Sequence, residues 1–395
     1  AASGAPPKLK ITDVKAYPLK TGQLIVEVFT DGGITGLGEP SPTVNISALK
    51  AIVENQIKRI AAGRSPFDAE YIWNKVYHDH YKHGHQGVMM FALAGVDIAL
   101  WDLMGKALGV PCDMLMGGKV RDKVPLYASA MRKRRKPQDE VAHLEKWVGR
   151  GFTSAKIHPY AFWAFDQGED DTLDVVRAVR AAFGPKFRLF VDMNHAYTVH
   201  RAIRIGRELE KLGVAMFEEP ISTDNIEGSA QLARQLDLKI AGYESEQLLY
   251  NFARMISSQA VDVVQPDLSW AGGITECRKI AAFAAAYHKE VAPHCFSSAV
   301  CLMASLHFLA SLPNAGLLEM DQNPNGLRTE IVDNPIVIGA DGCVRVPERP
   351  GLGIEINEDA VEKYRIRYEY SGRQAHAIHA DTKHTLHFCA ERLPG

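Results

Sequence analysis

Between Val124 and Glu319 short apolar runs alternate with amphipathic stretches, and the runs end on polar residues. Six of these endings share one interval: FRLFVD closes on Asp192, VAMFEE carries Glu218, LKIAGYE ends at Glu244, VDVVQPD at Asp267, EVAPH at His294 and AGLLE at Glu319. The successive gaps are 26, 26, 23, 27 and 25 residues. A βα unit of a parallel barrel has about that length, since ~250 residues make eight of them. Repeated in phase, an apolar run closed by a polar residue is the sequence form of a barrel whose strand ends carry a site. Two more strands precede the six: VPLYAS, ending near Ser129, and SAKIH, ending at His158. Helical patterns such as DEVAHLEKWVGRG, TLDVVRAVRAAFG and ITECRKIAAFAAAYH separate the strands. The spacing predicts an α/β fold, a TIM-type (β/α) barrel over residues 121–328.

Residues 1–120 do not follow that period. LKITDVKAYPL and LIVEVFTDGGITGLGE, with Asp31-Gly32-Gly33 at the turn, read as an antiparallel meander. Helical patterns follow from Ile46 to Gly63, Asp68 to Gly84 and Val88 to Gly109. This opening predicts an α+β capping domain. The segment 329–395 carries turn and strand signals and is expected to pack back on the capping domain rather than extend the barrel.

Composition narrows the class without changing the fold. With 46% hydrophobic and 23% charged residues the chain has the balance of a soluble globular protein with a large core. A net charge of -2 gives no general electrostatic reason to bind nucleic acid or an anionic membrane. The longest apolar stretch, around Ser298 to Leu312, reads as too short to span a bilayer, and no basic segment followed by an apolar one opens the chain. A cytoplasmic protein is the expectation. Six scattered cysteines (Cys112, Cys277, Cys295, Cys301, Cys343, Cys389) form no CxxC pair and predict reduced, structural thiols.

The polar endings carry the chemistry. Asp192, Glu218 and Glu244 end consecutive strands, so they stand side by side on one arc of the rim. Three carboxylates that close repel unless a cation neutralises them. All-oxygen ligands favour Mg²⁺ before Mn²⁺ or Ca²⁺. Lys156 and His158 alternate by two on their strand and point to one face. Across the barrel, Asp267 and His294 end neighbouring strands, where the carboxylate can orient the imidazole. Glu319 is placed to hydrogen-bond a substrate carboxylate oxygen. Bases on both sides of a metal suit removal of a proton from one face of a substrate and delivery from the other.

These residues resemble the enolase superfamily, and within it the mandelate racemase subgroup, from about Lys8 to about Ile366. The matching motifs are Lys156-Ile157-His158, VDMNHAY with Asp192, FEEP with Glu218, IAGYES with Glu244, QPDLSWAGG with Asp267, APH with His294 and LLE with Glu319. The resemblance implies that Asp192, Glu218 and Glu244 bind magnesium, that His294 and Asp267 form an acid/base dyad, that Lys156 and His158 are the opposite-face pair, and that Glu319 bonds an enediolate. It further implies a sugar-acid substrate and a homo-oligomer, often an octamer. The acid-sugar dehydratases of galactonate and aldarate type are similar, as are the galactarolactone cycloisomerases. Dehydration to a 2-keto-3-deoxy acid is the leading expectation, with cycloisomerisation, racemisation and non-catalytic binding as alternatives. Two positions depart from the family pattern. His158 stands in the second place of Lys-x-Lys, and Tyr243 stands before Glu244 where glycine is common.

Weaker signals remain. The run Arg132-Lys133-Arg134-Arg135-Lys136 is either a grip for a distal carboxylate or a solvated charge cluster. Asn194 and His85 are further candidate substrate contacts. Tyr160, Phe162, Trp163 and Phe165 form a lid wall or pack on the cap. Gly272-Gly273 presents N–H groups to an anion or simply makes a tight turn. The C-terminal His376, His379, His384 and His387 receive no function.

Overall fold

The computed structural model describes residues 7–41, 46–133, 136–159, 165–334, 336–366, 368–371 and 374–377. The chain opens with a three-stranded antiparallel meander, β1 (Ile11–Pro18), β2 (Leu24–Thr30) and β3 (Thr35–Gly38). β3 lies directly on the helix Val88–Leu108, and its glycines allow this. A Cβ at Gly36 would fall 2.1 Å from the Ala99 carbonyl oxygen, and one at Gly38 1.9 Å from that of Gly95. This helix is long and apolar enough to cross a membrane, a feature that the reading of Ser298–Leu312 as the longest apolar stretch missed. It is instead the core helix of the cap, buried along nearly all of Met89–Gly105, with Asp97 and Asp102 inside it.

Eight parallel strands follow: β4 (Lys123–Lys133), β5 (Ser154–His158), β6 (Arg188–Asp192), β7 (Met216–Glu218), β8 (Lys239–Gly242), β9 (Val263–Val264), β10 (Glu290–Val291) and β11 (Leu318–Asp321). They pair in chain order, β11 lies against β4, and the parallel bridge Val291 to Ala315 joins the last gap. All eight apolar runs read from the sequence are therefore barrel strands. Amphipathic helices such as Val199–Lys211 and Leu248–Ser257 pack their apolar stripes on the outside.

After residue 328 the chain returns to the cap. Arg365 bridges Leu19, and the Ile366 N–H donates to the Pro18 carbonyl. Leu352 N–H donates to Asp102 at 2.8 Å. One strand departs from expectation: β12 (Cys343–Arg345) pairs antiparallel with β4, adding a strand beside the barrel. His376 lies on a two-stranded hairpin whose side chains fall outside the described residues, as do His379, His384 and His387 altogether.

Buried carboxylates join cap to barrel. Glu39, just past β3, accepts hydrogen bonds from Ser298 N–H (2.9 Å), the Ser298 hydroxyl (2.6 Å) and Cys301 N–H (3.1 Å) at the start of the helix Ala299–Ser311. Asp97 accepts from Thr275 N–H (2.9 Å) and from the Thr275 hydroxyl at the start of Gly273–Ala286. Free N–H groups at a helix start favour an anion. Here the protein supplies its own, which settles the Gly272-Gly273 turn. Both glycines have positive φ (122° and 84°), and a Cβ on Gly273 would fall 2.3 Å from Asp97 Oδ2.

Burial pushes the carboxyls of Asp97 and Glu39 up to about 7, against the opposing pull of these hydrogen bonds. The folded protein therefore holds protons that the unfolded chain releases near pH 4, so the stability contributed by these groups is present below about pH 4 and lost as pH rises through 7. Asp97→Asn mimics the protonated form and removes its share of this slope. Its stability relative to the wild type should rise between pH 5 and pH 8, by on the order of 2 kcal/mol or more. Thermal melts across that range measure it, and parallel curves would refute the assignment.

Candidate active site

Strand alternation builds the site in two layers. Tyr127, Phe190, Met216, Ala241, Val263, Ala292 and Leu317 form an apolar cluster inside the barrel. Two residues further along the same segments, successive side chains having alternated faces, stand Ser129, Asp192, Glu218, Gln265, His294 and Glu319, all buried. Lys156 and His158 enter the same layer from β5 and are likewise buried. An apolar floor thus carries a layer of charge at the C-terminal mouth.

The three strand-end carboxylates converge. Ligand oxygens of Asp192, Glu218 and Glu244 all lie within 4.8 Å of one another. Lys156 reaches into the group: its Nζ contacts Glu218 Oε1 and lies 3.4 Å from Asp192 Oδ2 and 2.9 Å from Glu319 Oε1. His158 Nε2 is 2.9 Å from Asp192 Oδ2, and its Nδ1 is buried without a hydrogen-bond partner among the described residues. Gln265 donates to Glu218 Oε2 at 2.8 Å.

Charge balance decides what this group can hold. Burial raises the carboxyl of Asp192, but His158 and Lys156 outweigh it and hold the group well below the usual range. Burial likewise raises Glu218, and repulsion from Asp192, Glu319 and Glu244 adds to it beyond what Lys156 offsets. Glu244 is pushed up to about 8 by burial, with His294 pulling the other way. One lysine therefore does not neutralise the cluster. A divalent cation among three carboxylate oxygens would, and the all-oxygen donor set suits magnesium.

On the Glu244 side stands the dyad. His294 Nδ1 lies 2.6 Å from Asp267 Oδ2, while Nε2 lies 3.6 Å from Glu244 Oε2. Asp267 is itself fixed, because its Oδ1 accepts from both the N–H and the hydroxyl of Ser269 at 2.6 Å. Burial lowers the imidazole's proton affinity, but Glu244, Asp267 and Glu319 together raise it well above the ordinary value. Trp270 packs on His294 with ring centres 5.3 Å apart. Glu319 bonds Lys156 with one oxygen and accepts from Cys295 N–H with the other at 3.2 Å.

The remaining candidates fall into different places. Asn194 sits at the exit of β6, where its N–H donates to Asp192 Oδ1 at 2.8 Å and its side-chain oxygen is buried without a hydrogen-bond partner among the described residues. His85 lies in the cap, stacked on Tyr81 and edge-on to Tyr77, with its Nδ1 near the Tyr81 carbonyl. The next turn does reach the barrel, since Gly87 N–H donates to Gln247 at 2.6 Å. The backbone of Lys133 pairs with His158, so the basic run starts at the site rim, but the side chains from Arg132 to Arg135 lie outside the described residues. Tyr160, Phe162 and Trp163 also lie outside them, and Phe165 is exposed. The described cysteines are free, and Cys389 is outside the described residues.

Sequence reasoning gave no role to Gln265, Ser129, Glu219 or His195. The first two were legible, since both continue the alternation of the polar layer. His195 Nε2 lies 2.8 Å from Glu219 Oε2, a pairing across two loops that no periodicity signals.

Comparisons with known proteins agree with this architecture. Residues 5–117 match the model of the mandelate racemase/muconate lactonizing enzyme N-terminal domain, and residues 139–360 match the enolase C-terminal domain-like model. An arabinonate dehydratase of Saccharolobus solfataricus is 34% identical over 91% of this chain and 94% of its own length. A D-galactarolactone cycloisomerase of Agrobacterium fabrum is 32% identical over 88% and 92%. The magnesium-complexed crystal structure of a mandelate racemase/muconate lactonizing protein from Paracoccus denitrificans superimposes with a TM-score of 0.85 at 31% identity, over 91% of this chain and 98% of that one. With both domains matched and the strand-end residues in order, the chain belongs to the enolase superfamily, in its mandelate racemase/muconate lactonizing enzyme branch.

Proposed function

We propose that this protein is a magnesium-dependent sugar-acid dehydratase. It removes the proton α to the carboxylate of a 2,3-dihydroxy acid and expels the β-hydroxyl as water, leaving a 2-keto-3-deoxy acid. The observation that carries the reading is one carboxylate triad with proton-transfer groups at both ends, His158 beside Asp192 and His294 beside Glu244. Binding alone needs no such pair. The arabinonate dehydratase relative supports the same reading.

Asp192, Glu218 and Glu244 would hold the ion, which when bound supplies the charge stabilisation that an enediolate needs. That contribution is needed, because general acid/base help is worth roughly 10²- to 10⁴-fold and a carboxylate α-proton is far too weak an acid for that alone. The chain's own groups move the protons. Burial lowers the proton affinity of Lys156, but Glu218, Glu319 and Asp192 outweigh it and hold the ammonium protonated, suited to pair with the substrate carboxylate. We assign the base to His158, whose Nε2 lies beside Asp192 at one end of the triad. His294, oriented by Asp267, gives its proton to the departing hydroxyl.

A second reading has the D-galactarolactone cycloisomerase relative behind it. It shares the proton abstraction and differs in the fate of the enediolate. Product mass separates the two, because dehydration leaves a product lighter than its substrate by one water, whereas opening a lactone through the same enediolate gives a keto acid of unchanged mass.

Three outcomes test the reading. Chelation should abolish turnover of sugar acids and Mg²⁺ should restore it; full activity in demetallated protein would refute the metal role. His294→Asn should lower kcat by roughly 10²-fold or more while Mg²⁺ binding persists, and an unchanged rate would remove His294 from the chemistry. In D₂O, His158→Asn should lose exchange of the substrate α-hydrogen. Retained exchange in that variant, with loss in Lys156→Ala, would assign the base to Lys156.

A further inference from the structure

Glu244 reaches the site against the alternation that delivers its neighbours. Ala241 belongs to the apolar floor inside the barrel, so a regular strand would turn Tyr243 inward and Glu244 outward. The structure does the reverse. Tyr243 is buried in the outer core, beside Ser229 of the helix Ile226–Gln235, and Glu244 joins the triad. The reversal occurs at Tyr243, whose φ of 72° is the left-handed conformation that a bulky L-residue adopts only under constraint.

The constraint is visible. The Glu219 side chain passes over Gly242, where a Cβ would fall 3.1 Å from Glu219 Cγ. Its Oε1 accepts from two successive backbone N–H groups, Tyr243 at 3.1 Å and Glu244 at 3.3 Å. Successive N–H groups converging on one anion through a left-handed residue form a nest. Here the nest is filled by the protein's own carboxylate. The other oxygen of Glu219 lies 2.8 Å from His195 Nε2, and the His195 N–H donates to the Glu219 carbonyl at 2.8 Å. Burial lowers the proton affinity of His195, but Glu219 outweighs it and raises it to about 9. Glu219 therefore touches the segments that carry all three ligands: it follows Glu218, holds the backbone of Glu244, and pairs with the loop after Asp192.

We propose that Glu219, with His195 as its counter-charge, is a positioning residue that holds Tyr243 left-handed and so turns Glu244 into the metal site. The inference rests on the metal role proposed for the triad.

The test is Mg²⁺ binding by calorimetry to chelator-treated, full-length protein, independent of turnover. Glu219→Met keeps the bulk and removes the acceptor. It should weaken Mg²⁺ binding about 10- to 100-fold. Glu219→Gln keeps an oxygen for both N–H groups and should stay within about fivefold of wild type, a rescue that lost packing alone would not produce. Wild-type affinity in a folded Glu219→Met variant would overturn the proposal. Failure of the wild type to bind Mg²⁺ would instead overturn the metal reading beneath it. Hydrogen exchange on the metal-free wild type decides the matter even if Glu219→Met does not fold. The Tyr243 and Glu244 amides should be protected before any metal is added, and fast exchange at both would refute the clamp.

Discussion

Negative charge confined at the mouth of a barrel is the constraint that the rest of this structure answers. Asp192, Glu218, Glu319 and Asp267 are buried together on strand ends above an apolar floor, with Glu244 half-buried beside them. Lys156 is shared among three of them, His158 meets Asp192 and His294 bridges Asp267 and Glu244. The cationic groups that hold the carboxylates are thus also those placed to move protons. Chemistry and stability draw on the same contacts, so that removing one charged partner leaves another buried and uncompensated.

The cap answers a related constraint. Segments that leave β9 and β10 run directly into helices whose first N–H groups are buried at the junction, and Asp97 and Glu39 satisfy them from the cap. Asp267 and His294 lie in those same segments. The dyad is therefore positioned from below by its strands and from the side by a domain far away in sequence. Trp73 and Trp101 strengthen the joint with hydrogen bonds to Gly272 and Thr275.

Much of this was legible in the sequence because a barrel repeats. Each strand end is a period-2 pattern riding on a 25-residue period, and both survive in a linear chain. Asp192, Glu218, His294 and Glu319 follow directly from it, and Gln265 would have, had the alternation been carried one step past Val263. Glu244 was reached by the longer period even though it breaks the shorter one. What stayed hidden is pairing without period: Glu39 with Ser298, Asp97 with Thr275, Glu219 with His195. A single polar residue among many carries no mark of its partner, whether that lies one loop away, as His195 does from Glu219, or across the domain boundary, as Ser298 does from Glu39. The membrane-length helix Val88–Leu108 was passed over for a related reason, since Asp97 and Asp102 interrupt its apolar run in sequence but are satisfied by hydrogen bonds in the fold.

The imidazole at position 158 bears on which reaction the layer favours. Loss of water from a hydroxy acid needs one group to take a proton and another to give one within a single turnover. General acid/base catalysis is most effective when both groups have proton affinities near the working pH. A lysine surrounded by carboxylates is held protonated, as Lys156 is, and is a poor acceptor until that charge is relieved. His158, two residues on, points the same way and meets Asp192. With His294 across the triad, the site has an imidazole on each flank and a fixed ammonium between the carboxylates, and in the proposed dehydratase the two histidines would transfer protons while Lys156 and the metal ion together would offset the charge.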